Sequence, residues 1–225
     1  MARPLKRELT ITKSKILHSA AKLFIENGYS NTRIKDIAQD AGISYNEVFR
    51  VCLDKDTLLS ELVGLVLECQ FEMTETILKD KTNDKVFKYA FETVLQLYIA
   101  ESIEHIREMY VVSYSLPHSS KVVYSTITLK LEEVFKDKLP HLQRKDFYEL
   151  EIASAGIMRG YLTVPCDMYF TMDRKIRRFI ETTFKIYDVD NKKIEESLEF
   201  ISQFDFNKIA KDVIDSLFEY IETRT

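Results

Sequence analysis

Apolar residues recur along nearly the whole chain at the three-and-four spacing of an α-helix. Ile16, Ala20, Leu23 and Phe24 form one such stripe and predict a helix over 13–27. It stops at Asn27-Gly28, because glycine can take the left-handed conformation that ends a helix without a Cβ clash. A second helix is expected after Thr32, read as its N-cap, burying Ile34, Ile37 and Ala38 and ending near Asp40-Ala41-Gly42. A third, over 45–51, follows Ser44. Ser44 and Glu47 have the S-x-x-E spacing of a capping box, which lets the Glu47 carboxylate fold back onto the Ser44 N–H. Two short helices across Ala41-Gly42-Ile43-Ser44 predict a helix-turn-helix.

From Asp56 onward the pattern is long helices, expected over 56–79, 84–101, 103–115, 118–138, 145–163, 172–187, 191–203 and 206–222. Pro117, Pro140 and Pro165 fall at three of the breaks, where a residue without an N–H belongs. Val122–Leu131 is rich in β-branched residues, yet Val123, Ile127, Leu131 and Phe135 recur every four positions, so this stretch is read as helical.

Composition narrows the class. Gly and Pro total nine of 225 residues, about a third of ordinary usage, which excludes a sandwich or barrel of short strands. No apolar run approaches the roughly 20 residues that cross a bilayer. Cys52, Cys69 and Cys166 form no CxxC pair, so neither a disulfide framework nor a zinc knuckle is encoded, and a reducing cytoplasm is expected. Neither G-x-S-x-G, G-x-G-x-x-G nor a Walker loop is present, and no histidine follows a glutamate by three. A non-enzyme without metal or cofactor is therefore expected.

The net charge of −4 is unevenly spread. Residues 1–60 hold ten Lys and Arg against seven Asp and Glu, while residues 61–225 hold twenty-two against twenty-nine. Arg3, Lys6, Arg7, Lys13 and Lys15 crowd the first fifteen positions. A basic head on an acidic body suits a polyanion at the head, although a solvated start would carry the same charges.

These letters combine into something more specific. Ile16, Ala20-Ala21, Leu23-Phe24, Gly28-Tyr29, Thr32, Ile34, Ile37-Ala38, Ala41-Gly42-Ile43-Ser44, Lys55-Asp56 and Leu58 resemble the DNA-binding domain of TetR-family bacterial transcriptional regulators. The resemblance covers roughly residues 10–62. It implies an all-α protein with three parts: a basic arm at 1–12, a helix-turn-helix domain at 13–55, and a larger effector-binding and dimerisation domain at 56–225. Such a protein would be a ligand-responsive regulator, a repressor by expectation, binding a palindromic operator in double-stranded DNA as a homodimer. A helical receptor of the same fold that has lost operator binding is the alternative.

In a helix-turn-helix the second helix enters the major groove. Tyr45, Asn46, Phe49 and Arg50 are then the expected base-facing residues, with Asn46 suited to adenine. Tyr45 and Phe49 at i, i+4 would also suit a plain apolar surface pair. Thr32, Arg33 and Ser44 are expected at the groove edge, and by resemblance Lys55 grips a phosphate. Glu47, Phe49 and Val51 depart from the family pattern. A carboxylate replaces a hydroxyl, and Phe49 lacks a phenolic O–H, so the phosphate network should be thin.

For the body, Tyr98, His105, Tyr110, Tyr114, Tyr124 and Arg159 are the polar tips expected around an unknown small-molecule effector. Two faces are candidates for the dimer: Ala153, Gly156, Ile157 and Gly160 on one helix, and Val213 and Leu217 on the last. Either could equally be internal core. No membrane partner is expected.

Overall fold

The computed structural model describes residues 10–223, so the arm residues Arg3, Lys6 and Arg7 lie outside the described residues. Eleven helices and no strand are present among them. In order they are α1 (Ile11–Asn27), α2 (Ile34–Ala41), α3 (Tyr45–Val51), α4 (Lys55–Leu78), α5 (Lys85–Ser102), α6 (Glu104–Ser113), α7 (Pro117–Phe135), α8 (Arg144–Thr163), α9 (Met172–Ile186), α10 (Asn191–Ile201) and α11 (Phe206–Glu222). Every helix expected from periodicity forms, including α7 across the β-branched stretch.

Two apolar clusters organise these helices. The first joins Ile16, Ala20 and Phe24 of α1, Ile37 of α2, Val48 of α3 and Leu58, Leu62 and Leu65 of α4. The second surrounds α5, whose residues from Tyr89 to Leu97 are all buried and which touches α4 and α6 through α11. A helix buried on every side shows no amphipathic stripe, because no side of it faces water. The expected boundary at 55/56 coincides with the start of α4. The head's core nevertheless continues through three further turns of that helix, as far as Leu65.

Helix ends follow local chemistry. Thr10, Asp54, Asp84, Asp190 and Asp205 each cap a helix through a side-chain oxygen that accepts a backbone N–H. Pro117 sits in the first turn of α7, where its missing N–H costs nothing.

Candidate nucleic-acid interface and interior cavity

The turn between α2 and α3 is set by Gly42, which has φ +65° in the left-handed region. Its N–H reaches Gln39 O at 3.2 Å, and the Ile43 N–H reaches Ala38 O at 3.0 Å. These bonds close the end of α2 and swing α3 across it. Ser44 caps α3, its hydroxyl accepting the Glu47 N–H at 3.3 Å. Only this half of the expected capping box forms. The Glu47 carboxylate makes no hydrogen bond to the Ser44 N–H, so it is not folded away from the exposed face.

Within α3 only Val48 is buried. Tyr45, Asn46, Phe49 and Arg50 all lie on the solvent side, with Tyr45 50% and Phe49 38% exposed. The two rings meet edge to face with centroids 4.9 Å apart, a paired apolar surface between two polar side chains.

Two residues expected at the interface point inward. Thr32 is buried, and its hydroxyl donates to Leu23 O at 3.1 Å and Gly28 O at 2.8 Å. The N-cap of α2 is Arg33 instead, whose N–H donates to the Asp36 carboxylate at 3.0 Å. The physical reason lies at the end of α1, where unpaired carbonyls need donors and Thr32 supplies one. Lys55 likewise turns in. Its ammonium donates to Tyr29 O at 2.8 Å and Thr32 O at 3.1 Å, and lies 4.1 Å from the centre of the Tyr29 ring. Partial burial lowers its pKa. Lys55 thus ties α4 to the α1–α2 connection, with two of its three N–H donors occupied. Arg33 and Lys35 remain exposed, whereas Lys13 pairs with Glu61 at 3.0 Å.

The head is fastened to the body by a carboxylate that periodicity could not reveal. Glu108 on α6 accepts the N–H groups of Tyr29 and Ser30, each at 3.0 Å, and the Ser30 hydroxyl. Partial burial would raise its pKa, but these donors outweigh it and hold the carboxyl below the ordinary range. Gly28, at φ +85°, is packed so closely that a Cβ there would stand 2.6 Å from Glu108 Oε2. His105 Nδ1 lies 2.9 Å from Ile25 O beside it. Asp56 makes a second fastening, accepting the His118 N–H at 2.8 Å and the Ser119 hydroxyl at 2.7 Å at the start of α7.

Inside the body an outer chamber of about 80 Å³ lies between α4, α5, α6 and α11. Leu62, Val66, Leu67, Ile99 and Met109 give it apolar walls, and Gln96, Tyr110 and Tyr114 give it polar points. The Gln96 amide donates to the Tyr114 hydroxyl at 2.8 Å. Leu67, Gln96 and Tyr114 also border an inner chamber of about 30 Å³, lined further by Glu92, Lys130, Glu151 and Ser154. Lys130 pairs with Glu92 at 2.8 Å. Burial pushes the Glu92 carboxyl up to about 7, with Lys130 offsetting only part of that rise, and pushes Glu151 up to about 8.

Of the six polar tips expected around an effector, Tyr110 and Tyr114 line this cavity and four do not. Tyr98 stacks on Phe206 with centroids 5.3 Å apart, and His105 bonds Ile25 O. Tyr124 meets Tyr148 edge-on, and Arg159 donates to the Ser115 hydroxyl at 2.8 Å on the outside. Aromatics at helical spacing mostly fill the gaps between helices here. The interior acids Glu92 and Glu151 were missed, though each carries a readable signal. Glu151 interrupts the buried stripe Phe147, Ser154, Ala155, Met158 and Leu162.

The two faces considered for a second copy also separate. The α11 stripe is internal: α11 packs on α1, α4 and α5, Val213 is buried, and Val213 and Leu217 line the outer chamber. Within one protomer Val213 is thus buried, while Leu217 is half-buried. On α8, Ala153, Gly156 and Gly160 are exposed and Ile157 is half-buried. A Cβ added at either glycine would meet nothing within 4 Å.

Two short helices across a tight turn, the second presenting aromatic and polar side chains to solvent, form a helix-turn-helix on an all-helical body. The chain matches the family described as bacterial regulatory proteins, tetR family, over residues 16–62. It is 24% identical over 163 residues to the protein named probable HTH-type transcriptional regulator YttP of Bacillus subtilis (strain 168), covering 68% of this chain and 69% of that protein. Its fold is similar to that of RolR in complex with resorcinol, with a TM-score of 0.64 at 15% identity over 86% of this chain and 94% of the other. It is also similar to the SmeT–triclosan complex, with a TM-score of 0.52 at 16% identity over 78% and 91%. Among the described residues no helix is long and apolar enough to cross a membrane.

Proposed function

We propose that this chain is a ligand-responsive repressor that binds a palindromic operator as a homodimer, each protomer placing α3 in the major groove. The observation that carries the reading is the solvent-facing set Tyr45, Asn46, Phe49 and Arg50 on a helix that buries only Val48. Asn46 reads a base edge, Arg50 and Arg33 reach phosphate or guanine, and the paired rings of Tyr45 and Phe49 pack against the groove wall. Ser44 orders the start of the helix through its cap. The open α8 face of Ala153, Gly156, Ile157 and Gly160 is the dimer contact, because small residues admit a second helix closely. RolR and SmeT were solved with resorcinol and triclosan. By analogy the chamber walled by Tyr110 and Tyr114 receives a small, mostly apolar effector. A reducing cytoplasm remains the expected location.

The inward Lys55 and the unfolded-back Glu47 favour a second reading, a receptor with weakened operator binding, since both thin the phosphate network. Selection from a random duplex library at two salt concentrations separates the readings. A two-fold symmetric winning site, with log affinity falling linearly in log salt, supports the repressor. Absence of binding at low salt rejects it.

A further inference from the structure

We propose that the inner chamber binds the ammonium group of a small primary amine, whose apolar body fills the outer chamber, with Glu151 giving up a proton to receive it. The inference rests on the reading of the body as a small-molecule receptor and adds the chemistry of its ligand.

Glu151 lines the inner chamber and is 3% exposed. Its carboxylate accepts one hydrogen bond, from the Ser154 hydroxyl at 2.6 Å on its own helix. Among the described residues no cation forms an ion pair with it. Glu92 differs, closed onto Lys130 at 2.8 Å. The titratable groups facing Glu151 are Tyr89 and Glu92 on α5, Tyr114 after α6, Lys130 on α7 and Tyr187 after α9. Burial keeps the three phenols protonated, and Lys130 is already committed. A buried carboxyl without a counter-ion holds its proton at neutral pH, in keeping with its raised pKa of about 8. The chamber is then neutral, with one closed ion pair and one carboxylic acid.

An entering ammonium changes that balance in one way that costs no net buried charge. The Glu151 proton leaves to solvent, and the carboxylate bonds the ammonium. The inner chamber, at about 30 Å³, has room for roughly two waters, which suits –NH3+ and excludes a bulky quaternary head. The outer chamber, at about 80 Å³ and walled by Val66, Ile99 and Met109, suits a ring or a branched alkyl group. Leu67, Gln96 and Tyr114 line both chambers, so a ligand filling the two would pass beside them.

The test compares 2-phenylethylamine with 2-phenylethanol, nearly equal in shape, by calorimetry on the full chain at pH 6.5 and 7.5 in buffers of different ionisation heat. The amine should bind at least about tenfold more tightly and release close to one proton. Its affinity should rise about tenfold over that pH interval while the alcohol's stays flat. These readings need no variant. Glu151→Gln should remove both the pH dependence and the advantage of the amine, leaving the alcohol unchanged. A slope that survives Glu151→Gln belongs to Glu92 and overturns the assignment, as does an alcohol that binds as tightly as the amine. In either case the receptor reading stands. If neither compound binds, the proposal is overturned, while the receptor reading, which names no particular ligand, stands.

Discussion

The head and the body of this chain keep their chemistry on opposite sides of their surfaces. In the head the buried polar groups are hydroxyls such as those of Ser19 and Thr32, without a fully buried acid or base among the described residues, and Tyr45, Asn46, Phe49 and Arg50 stand in solvent. In the body the charged groups Glu92, Lys130 and Glu151 sit inside against a cavity. An exposed site needs only a rigid platform, so its residues barely affect folding. An interior site must be built into the packing, so its residues alter stability and respond to pH.

The sharpest way to break this contrast is at the seam. Glu108→Ala leaves the N–H groups of Tyr29 and Ser30 without their acceptor. It should lower the melting temperature by roughly 5–10 °C, measured by calorimetry, and an unchanged melting point would show that the head is not held through α6. Next in size is Glu151→Gln. The Glu151 carboxyl ionises near 4.5 when unfolded but holds its proton to about 8 in the fold. The folded state therefore binds more protons in that window, and the contribution is complete below pH 4.5 and lost as pH rises through 8. Removing the group should flatten the decline, so the variant gains a few degrees over the parent at pH 8 and nothing at pH 4.

A smaller effect is expected at Lys55. Lys55→Met loses its bonds to Tyr29 O and Thr32 O and should cost about 1–2 kcal/mol in denaturant titrations. A loss of DNA affinity without any loss of stability would return Lys55 to the phosphates. Smallest is Asn46→Ala, within about 0.5 kcal/mol on stability as for any exposed position. It should nevertheless relax preference at one operator base pair in a duplex selection.

Legibility in the sequence divides along the same line. All eleven helices and the turn at Gly42 could be read, because period, caps and breakers are local properties. The exposure of Tyr45, Asn46, Phe49 and Arg50 followed from the single buried Val48. Long-range partners were not legible. Nothing near Lys55 tells that its ammonium is taken by carbonyls more than twenty residues away, and Thr32 looks like a cap until α1 needs its hydroxyl. In α11 the stripe through Val213 and Leu217 declares that one side is dry, without saying whether the covering surface is this chain or another. Glu151 was visible as an interruption of the buried stripe on α8, and Glu92 as an acid within the continuous buried run of α5.

The continuity of α4 limits how this molecule can be re-engineered. Leu58, Leu59 and Leu62 belong to the head's core, while Leu59, Leu62 and Val66 also wall the cavity. A chimaera spliced at residue 55 to exchange recognition specificities would therefore pair one parent's leucines with the other parent's α1 and α2. A transplant that moves the head together with the helix through Leu65 keeps those neighbours matched, but carries part of the donor's pocket wall with it.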